Sequence, residues 1–215
     1  LVGWWPFNGN ANDESGNGNN GTVNGAILTE DRFGSGNAAY EFDGVDDNVV
    51  CLLPGPTGDS VDVAVTFWIR TNQSTYGEIL GYGNDQITGE DFRVYINGQP
   101  GCSNAIYFDS YQSAKGISDN FSNVWDFYTL IYKGTSLNDI DSSYFYKNGV
   151  LQNSGCFYTS VSAINISDLI PLTFGSYHGN LSLSSYYQGD MDDIGIWNRA
   201  LTQAEITDLY NANLC

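Results

Sequence analysis

Positive charge is scarce in this chain. Seven Lys and Arg face 25 Asp and Glu in 215 residues, a formal net charge of −18. Such a surface repels phosphate and anionic lipid, which argues against nucleic acid and membrane surfaces as partners. It also disfavours strongly sulfated polymers. No apolar run approaches the roughly 18 residues of a membrane span. The cysteines Cys51, Cys102, Cys156 and Cys215 include no Cys-x-x-Cys pair, which removes the common zinc motifs. There is one histidine, His178, with no serine or cysteine constellation tied to it, so a nucleophilic triad is poorly motivated. No Gly-Lys-Ser/Thr occurs, and the glycine-rich stretch from Asp13 to Gly21 has no helix after it, so a phosphate-cradling loop is absent. Helical periodicity is missing until the last dozen residues.

What the chain has is turn formers and rings. Twenty-five glycines, 14% aromatics and many Asn, Asp, Ser and Thr suit short strands joined by tight turns. Strand-like runs cover 2–7, 38–42, 48–53, 61–70, 78–82, 92–96, 104–109, 125–133, 144–147, 172–175 and 191–197, with Val150-Leu151 opening a return strand. In 61–70, Val63, Val65, Phe67 and Ile69 point one way, and Trp68 and Trp125 are assigned to the core. Asn97-Gly98 and Asn148-Gly149 signal hairpins, and 8–25 reads as a long irregular loop. The end is a strand carrying Ile194 and Ile196, then a helix started by the capping box Thr202-x-x-Glu205, with Leu201 and Ile206 spaced as a hydrophobic staple. Ile206, Leu209 and Tyr210 form its apolar stripe. With no linker or internal repeat, residues 1–215 read as one all-β domain, a two-sheet antiparallel sandwich with a short C-terminal helix.

An even cysteine count fits an oxidising, extracellular compartment. Of the three possible pairings, Cys102–Cys156 with Cys51–Cys215 is favoured, since Cys102 and Cys156 both follow Asn-Gly turns. Asn-x-Ser/Thr sequons stand at Asn20, Asn72, Asn120, Asn165 and Asn180.

Seven blocks carry a family resemblance: Trp4-Trp5-Pro6-Phe7-Asn8-Gly9-Asn10-Ala11-Asn12-Asp13, Asp31-Arg32-Phe33-Gly34, Phe42-Asp43-Gly44, Val65-Thr66-Phe67-Trp68-Ile69, Trp125-Asp126-Phe127-Tyr128, Tyr146-Lys147-Asn148-Gly149-Val150 and the closing strand with its helix. In this order they resemble the laminin G-like branch of the concanavalin A-like lectin/glucanase jelly rolls. The resemblance implies two curved antiparallel sheets, a concave face and loops that bind glycans. It also implies a structural Ca²⁺ where the first and last strands meet. Backbone oxygens near Pro6, Phe7 and Gly34 and the carboxylate of Asp192 would be its donors, with Asp13 and Asp193 as further candidates; hard oxygen ligands are what calcium needs.

A glycan site wants a flat ring for the sugar's C–H face and polar fingers for its hydroxyls. The candidates are Tyr82, Arg93, Tyr95, Tyr107, Tyr111, Tyr177, His178, Tyr186 and Tyr187, with His178 as a hydrogen-bonding group. Catalysis is not expected. Glycoside hydrolysis needs two carboxylates facing each other across the bond, and the spacing Glu-x-Asp-x-x-Glu is absent; the acidic groups Asp43–Asp46–Asp47 and Glu90–Asp91 sit beside glycines in turn-like sequence. The expectation is therefore a non-catalytic carbohydrate-binding module, monomeric, within a secreted polysaccharide-degrading or adhesive protein, and binding a neutral rather than a sulfated glycan. A protein–protein or cell-adhesion module is the first alternative, and a glycoside hydrolase or polysaccharide lyase the second.

Overall fold

A computed structural model describes residues 1–52, 58–59, 62–84, 90–97, 102, 104–110, 113–134, 143–153, 155–159, 165–166, 170–177 and 185–212. Period-two alternation builds it. One sheet runs, in spatial order, β14 (Val150–Gln152), β13 (Tyr144–Lys147), β12 (Trp125–Tyr132), β7 (Val63–Arg70), β18 (Gln188–Trp197), β4 (Ala39–Asp43) and β3 (Ile27–Thr29), and β1 (Gly3–Trp5) also pairs with β18. The other runs β15 (Cys156–Thr159), β11 (Ser113–Ser118), β10 (Ala105–Asp109), β9 (Asp91–Ile96), β8 (Gly77–Gly83), β17 (Thr173–Phe174), β5 (Asn48–Cys51) and β2 (Gly21–Asn24). A short pair, β16 (Asn165–Ile166) with β6 (Gly58–Asp59), stands apart. Non-sequential neighbours such as β7 beside β18 and β17 beside β5 mark the crossovers of a jelly roll. The expected all-β sandwich with one terminal helix is the fold.

The two sheets bury their facing sides against each other. Val63, Val65, Phe67 and Ile69 from β7 meet Leu80, Tyr82, Phe92, Val94, Ile106 and Phe108 from the other sheet in one continuous core. Opposite parity sends Ala64, Thr66, Trp68 and Arg70 outward. Helix α1 (Gln203–Asn211) covers part of that outer side: Leu201 and Ile206 cluster with Ala64 and Ile131, and Tyr210 stacks on Trp68 at 5.7 Å. The Thr202 hydroxyl and the Glu205 carboxylate cap the helix reciprocally, as the sequence predicts.

Several expectations need correction. Trp68 is buried as expected, though beneath Tyr210 on the outer side of the first sheet rather than between the sheets, whereas Trp125, on the same side, is only half-buried. The segment 8–25 is not all loop, because its end forms β2, paired with β5. β11 was not expected at all. Asn97 does begin a turn, but the connection to β10 runs from 97 to 104 rather than through two residues. Asn148-Gly149 behaves as predicted: both have positive φ (51° and 78°) between paired Lys147 and Val150. Cys102–Cys156 is a disulfide, whereas Cys51 is a free, buried thiol; its expected partner, Cys215, lies outside the described residues.

β18 organises the first sheet. One edge pairs with β7 along most of its length. The other edge pairs with β4 over Gln188–Met191 and with β1 over Ile194–Ile196, so two strands lie end to end against it. A register shift between Asp192 and Gly195 falls at the join, and Asp193 takes a left-handed φ of 46° there.

Candidate functional site

Three arginines, each facing carboxylates, mark three of the places where this chain concentrates polar chemistry. The first is Arg32, in the loop between β3 and β4. Its Nη1 lies 2.5 Å from Asp192 Oδ2 and its Nη2 lies 2.7 Å from Asp193 Oδ2, with all three side chains less than a tenth exposed. The guanidinium also lies 4.7 Å from the Trp68 ring centroid and 4.4 Å from that of Phe33. Burial and the neighbouring carboxylate push Asp192 up from the usual range, with Arg32 pulling back; burial does the same to Asp193. These are the two carboxylates expected to hold calcium. Asp13 is committed elsewhere: its carboxylate accepts the backbone N–H groups of Trp4, Ser15 and Asn19. Burial pushes its pKa up, but these bonds outweigh it and hold the carboxyl below the usual value. Pro6 and Phe7 are buried, Phe7 with a φ of 55°, and Gly34 closes a turn onto the Asp31 carbonyl. Calcium takes about six to eight oxygens around one point. Between Asp192 and Asp193 that point is filled by a guanidinium, so the donor set does not fit a metal ion. Asp43, Asp46 and Asp47 also converge. There Asp43 and Asp47 accept backbone N–H groups of their own turn.

The second centre lies on the outer side of β8–β10. Outward parity aligns Arg93 with Asp91 and Tyr95 on β9 and with Asp109 and Tyr107 on β10. Arg93 Nε is 2.7 Å from Asp91, Nη2 is 3.0 Å from Asp109 and Nη1 is 3.7 Å from Glu78. Tyr95 donates to Asp109 at 3.0 Å, and Tyr76 donates to Glu78. The Tyr177 ring lies 5.3 Å from the guanidinium, over Gly81, where a Cβ would strike it. Tyr107 stacks on Tyr95 at 5.4 Å, and its hydroxyl donates to the Cys102 carbonyl. Four expected binding residues therefore do meet: Arg93, Tyr95, Tyr107 and Tyr177. They meet in a locked cluster, however. The tyrosines are at most 3% exposed and the Arg93 side chain is 16% exposed. Burial pushes Glu78 up to about 8 despite Arg93, and burial also raises Asp109.

The remaining candidates scatter. Tyr82 stacks on Phe92 within the inter-sheet core, and Tyr187 packs against Phe42; neither is exposed, so neither can face a ligand. Their inward parity is the physical reason. Tyr186 is half-buried beside Glu78. Tyr111 and His178 lie outside the described residues.

The third centre is open. Antiparallel pairing sets Glu41, Asp190, Arg70 and Trp125 side by side across β4, β18, β7 and β12. Arg70 Nε holds Asp190 Oδ2 at 2.5 Å, and the guanidinium lies 5.1 Å from the Trp125 ring centroid. Arg70 is 31% exposed and uses only Nε within the described protein, leaving its terminal nitrogens toward a cleft of about 440 Å³. Asn72, Asn123 and Gln188 line the same cleft. Among the described residues, the side chains of these three and of Glu41 make no hydrogen bond. Gly189 lets β18 come this close, since a Cβ there would lie 2.5 Å from the Arg70 carbonyl. Burial raises the Asp190 pKa, and Arg70 opposes it. None of these residues was a binding candidate in the sequence, where Trp125 is assigned to the core and Asn72 is noted only as a sequon. Arg70 carried the same signal as Arg93, a cation on the outward parity of an apolar strand. A second, smaller pocket of about 190 Å³ is lined mainly by the rings of Trp4, Trp68, Phe127 and Trp197, with Thr66 and the engaged Asp193 beside them.

Solved structures share this architecture. The chain is similar to domain 4 of AbnA, a GH43 extracellular arabinanase from Geobacillus stearothermophilus, in complex with arabinotriose; the TM-score is 0.70 at 16% identity, covering 98% of each chain. It is similar to a botulinum neurotoxin type C structure concerned with cell entry through two ganglioside molecules (TM-score 0.67, 16% identity, 98% of this chain). It is similar also to the serotype D ligand-binding domain in complex with N-acetylneuraminic acid (TM-score 0.62, 18% identity, 97% of this chain). The chain spans about half the length of these toxin chains, 50% in each case. No curated protein matches it significantly. A laminin G family model, described as the concanavalin A-like lectin/glucanases superfamily, matches residues 42–207. With most of its length under that model and two antiparallel sheets in the matching arrangement, the chain belongs to the concanavalin A-like lectin/glucanases superfamily.

Proposed function

We propose that this domain is a non-catalytic carbohydrate-binding module of an extracellular protein, and that the sugar sits in the cleft at Arg70. The observation that carries the reading is an arginine held between Asp190 and Trp125 in an open, polar cavity large enough for a small ligand. A guanidinium fork donates to two neighbouring hydroxyl oxygens, the carboxylate of Glu41 accepts from others, and the amides of Asn72, Asn123 and Gln188 do both. Asp190 balances Arg70, so Glu41 and Asp43 leave the cleft negative, which favours neutral sugars over sialylated or sulfated ones. The carbohydrates named with the arabinanase and toxin structures support glycan recognition in general. The Cys102–Cys156 bridge supports an oxidising compartment. Against catalysis, the buried carboxyl groups of Glu78, Asp91 and Asp109 are clamped together by Arg93.

The test is calorimetric titration with a panel of neutral oligosaccharides, backed by retention on polysaccharide gels. Binding should fall at least tenfold in Arg70→Ala and in Trp125→Ala with the melting temperature nearly unchanged. No retention on any neutral glycan would end this reading. One observation favours a different face: Glu78 Oε2 is buried without a partner beside half-buried Tyr76. Binding that survives Arg70→Ala and disappears in Tyr76→Ala would move the site to the second sheet.

A further inference from the structure

We infer that Arg32 is a built-in cation that closes the junction of the first and last strands, so that this junction is independent of calcium. The junction is built on β18. Its outer edge changes partner from β4 to β1, and the register shift at the change turns Asp192 and Asp193 into the same small space. Two adjacent buried carboxylates repel and demand a positive charge. A divalent ion would need several more oxygens converging with them. The chain instead supplies a planar fork whose two terminal nitrogens each reach one carboxylate, at 2.5 and 2.7 Å. The rings of Trp68 and Phe33 also lie against it. Asp13, the third carboxylate near the first strand, is oriented by three backbone N–H groups, that of Trp4 in β1 and those of Ser15 and Asn19 in its own loop. The guanidinium therefore occupies the volume between the carboxylates and offsets one of their two negative charges, and it does so from the loop that links β3 to β4. In effect one covalently attached ligand ties β18, the β3–β4 loop and the neighbourhood of β1 together.

The experiment is thermal unfolding of the whole domain in EDTA and in millimolar Ca²⁺. The wild-type melting temperature should agree in the two conditions to within about a degree, while Arg32→Ala should melt roughly 10 °C lower in both, because removing one partner strands two buried charges. Arg32→Lys keeps the charge but loses the fork, and should fall between the two; it serves if the alanine variant does not fold. The inference is overturned if EDTA lowers the wild-type melt and Asp192→Asn abolishes that sensitivity. It is equally overturned if Arg32→Ala melts with the wild type.

Discussion

Arg93 and Arg70 occupy equivalent positions on opposite sheets: each sits on the outward parity of a strand whose other face builds the core. Their surroundings differ in saturation. Arg93 meets Asp91, Asp109 and Glu78 beneath three tyrosines and is nearly closed off. Arg70 meets one carboxylate, leans on one ring and keeps two nitrogens free toward solvent. The same residue type thus acts as an internal clamp where its donors are used up and as a recognition group where they are not. Charge pattern alone does not separate the two; the number of acidic neighbours across the strands does.

The largest effect that would sharpen this contrast is on stability. Arg93→Ala leaves three buried carboxylates without their cation and should cost about 3–5 kcal/mol, read as a lowered urea midpoint. Arg70→Ala should cost less than about 1 kcal/mol, since its pair is partly exposed. If the two variants unfold at the same midpoint, the comparison fails. The next effect is on binding: Arg70→Ala should weaken neutral-sugar affinity by about 1.4–3 kcal/mol, as expected for charge-assisted hydrogen bonds, measured by calorimetry. A pH effect follows. Glu78 titrates near 8 in the folded domain, above its ordinary 4.5, so between these values the folded state holds a proton that the unfolded chain releases. Stability from this group is present in full below the unfolded value and is lost as pH rises through about 8. The melting temperature should therefore decline from pH 5 to 8, and Glu78→Gln should flatten that slope; an unchanged slope would remove Glu78 from the account. The smallest effect is Trp125→Phe, which keeps a ring beside Arg70 and should weaken sugar binding only a few-fold.

How legible was all this in the chain itself? The parts governed by local rules were plain. Val63, Val65, Phe67 and Ile69 fixed the core face of β7, Thr202 and Glu205 fixed the helix start, and Asn148-Gly149 fixed a hairpin. β2 and β11 escaped because Gly21–Asn24 and Ser113–Ser118 carry little apolar alternation and are strands by virtue of their neighbours. Tyr82 and Tyr95 looked alike in sequence. Parity separates them, since Tyr82 points inward with Leu80 and Tyr95 outward with Arg93. The cleft was invisible for another reason: Glu41 and Asp190 come from distant parts of the chain and become neighbours only when β4 pairs with β18. The acidic pair Asp192-Asp193 was legible as a cation site, whereas the cation the chain itself brings there, Arg32 of the Asp31-Arg32-Phe33-Gly34 block, was not.

The Cys102–Cys156 bridge has a consequence beyond fixing a loop. Cys156 begins β15, the margin of the second sheet among the described residues, and an edge strand's outer backbone groups can template pairing with another copy of the chain. Closing a 54-residue span holds that margin in register. It is thus a seal against self-association, and a reductant should show its effect first as light scattering on storage, before any loss of secondary structure.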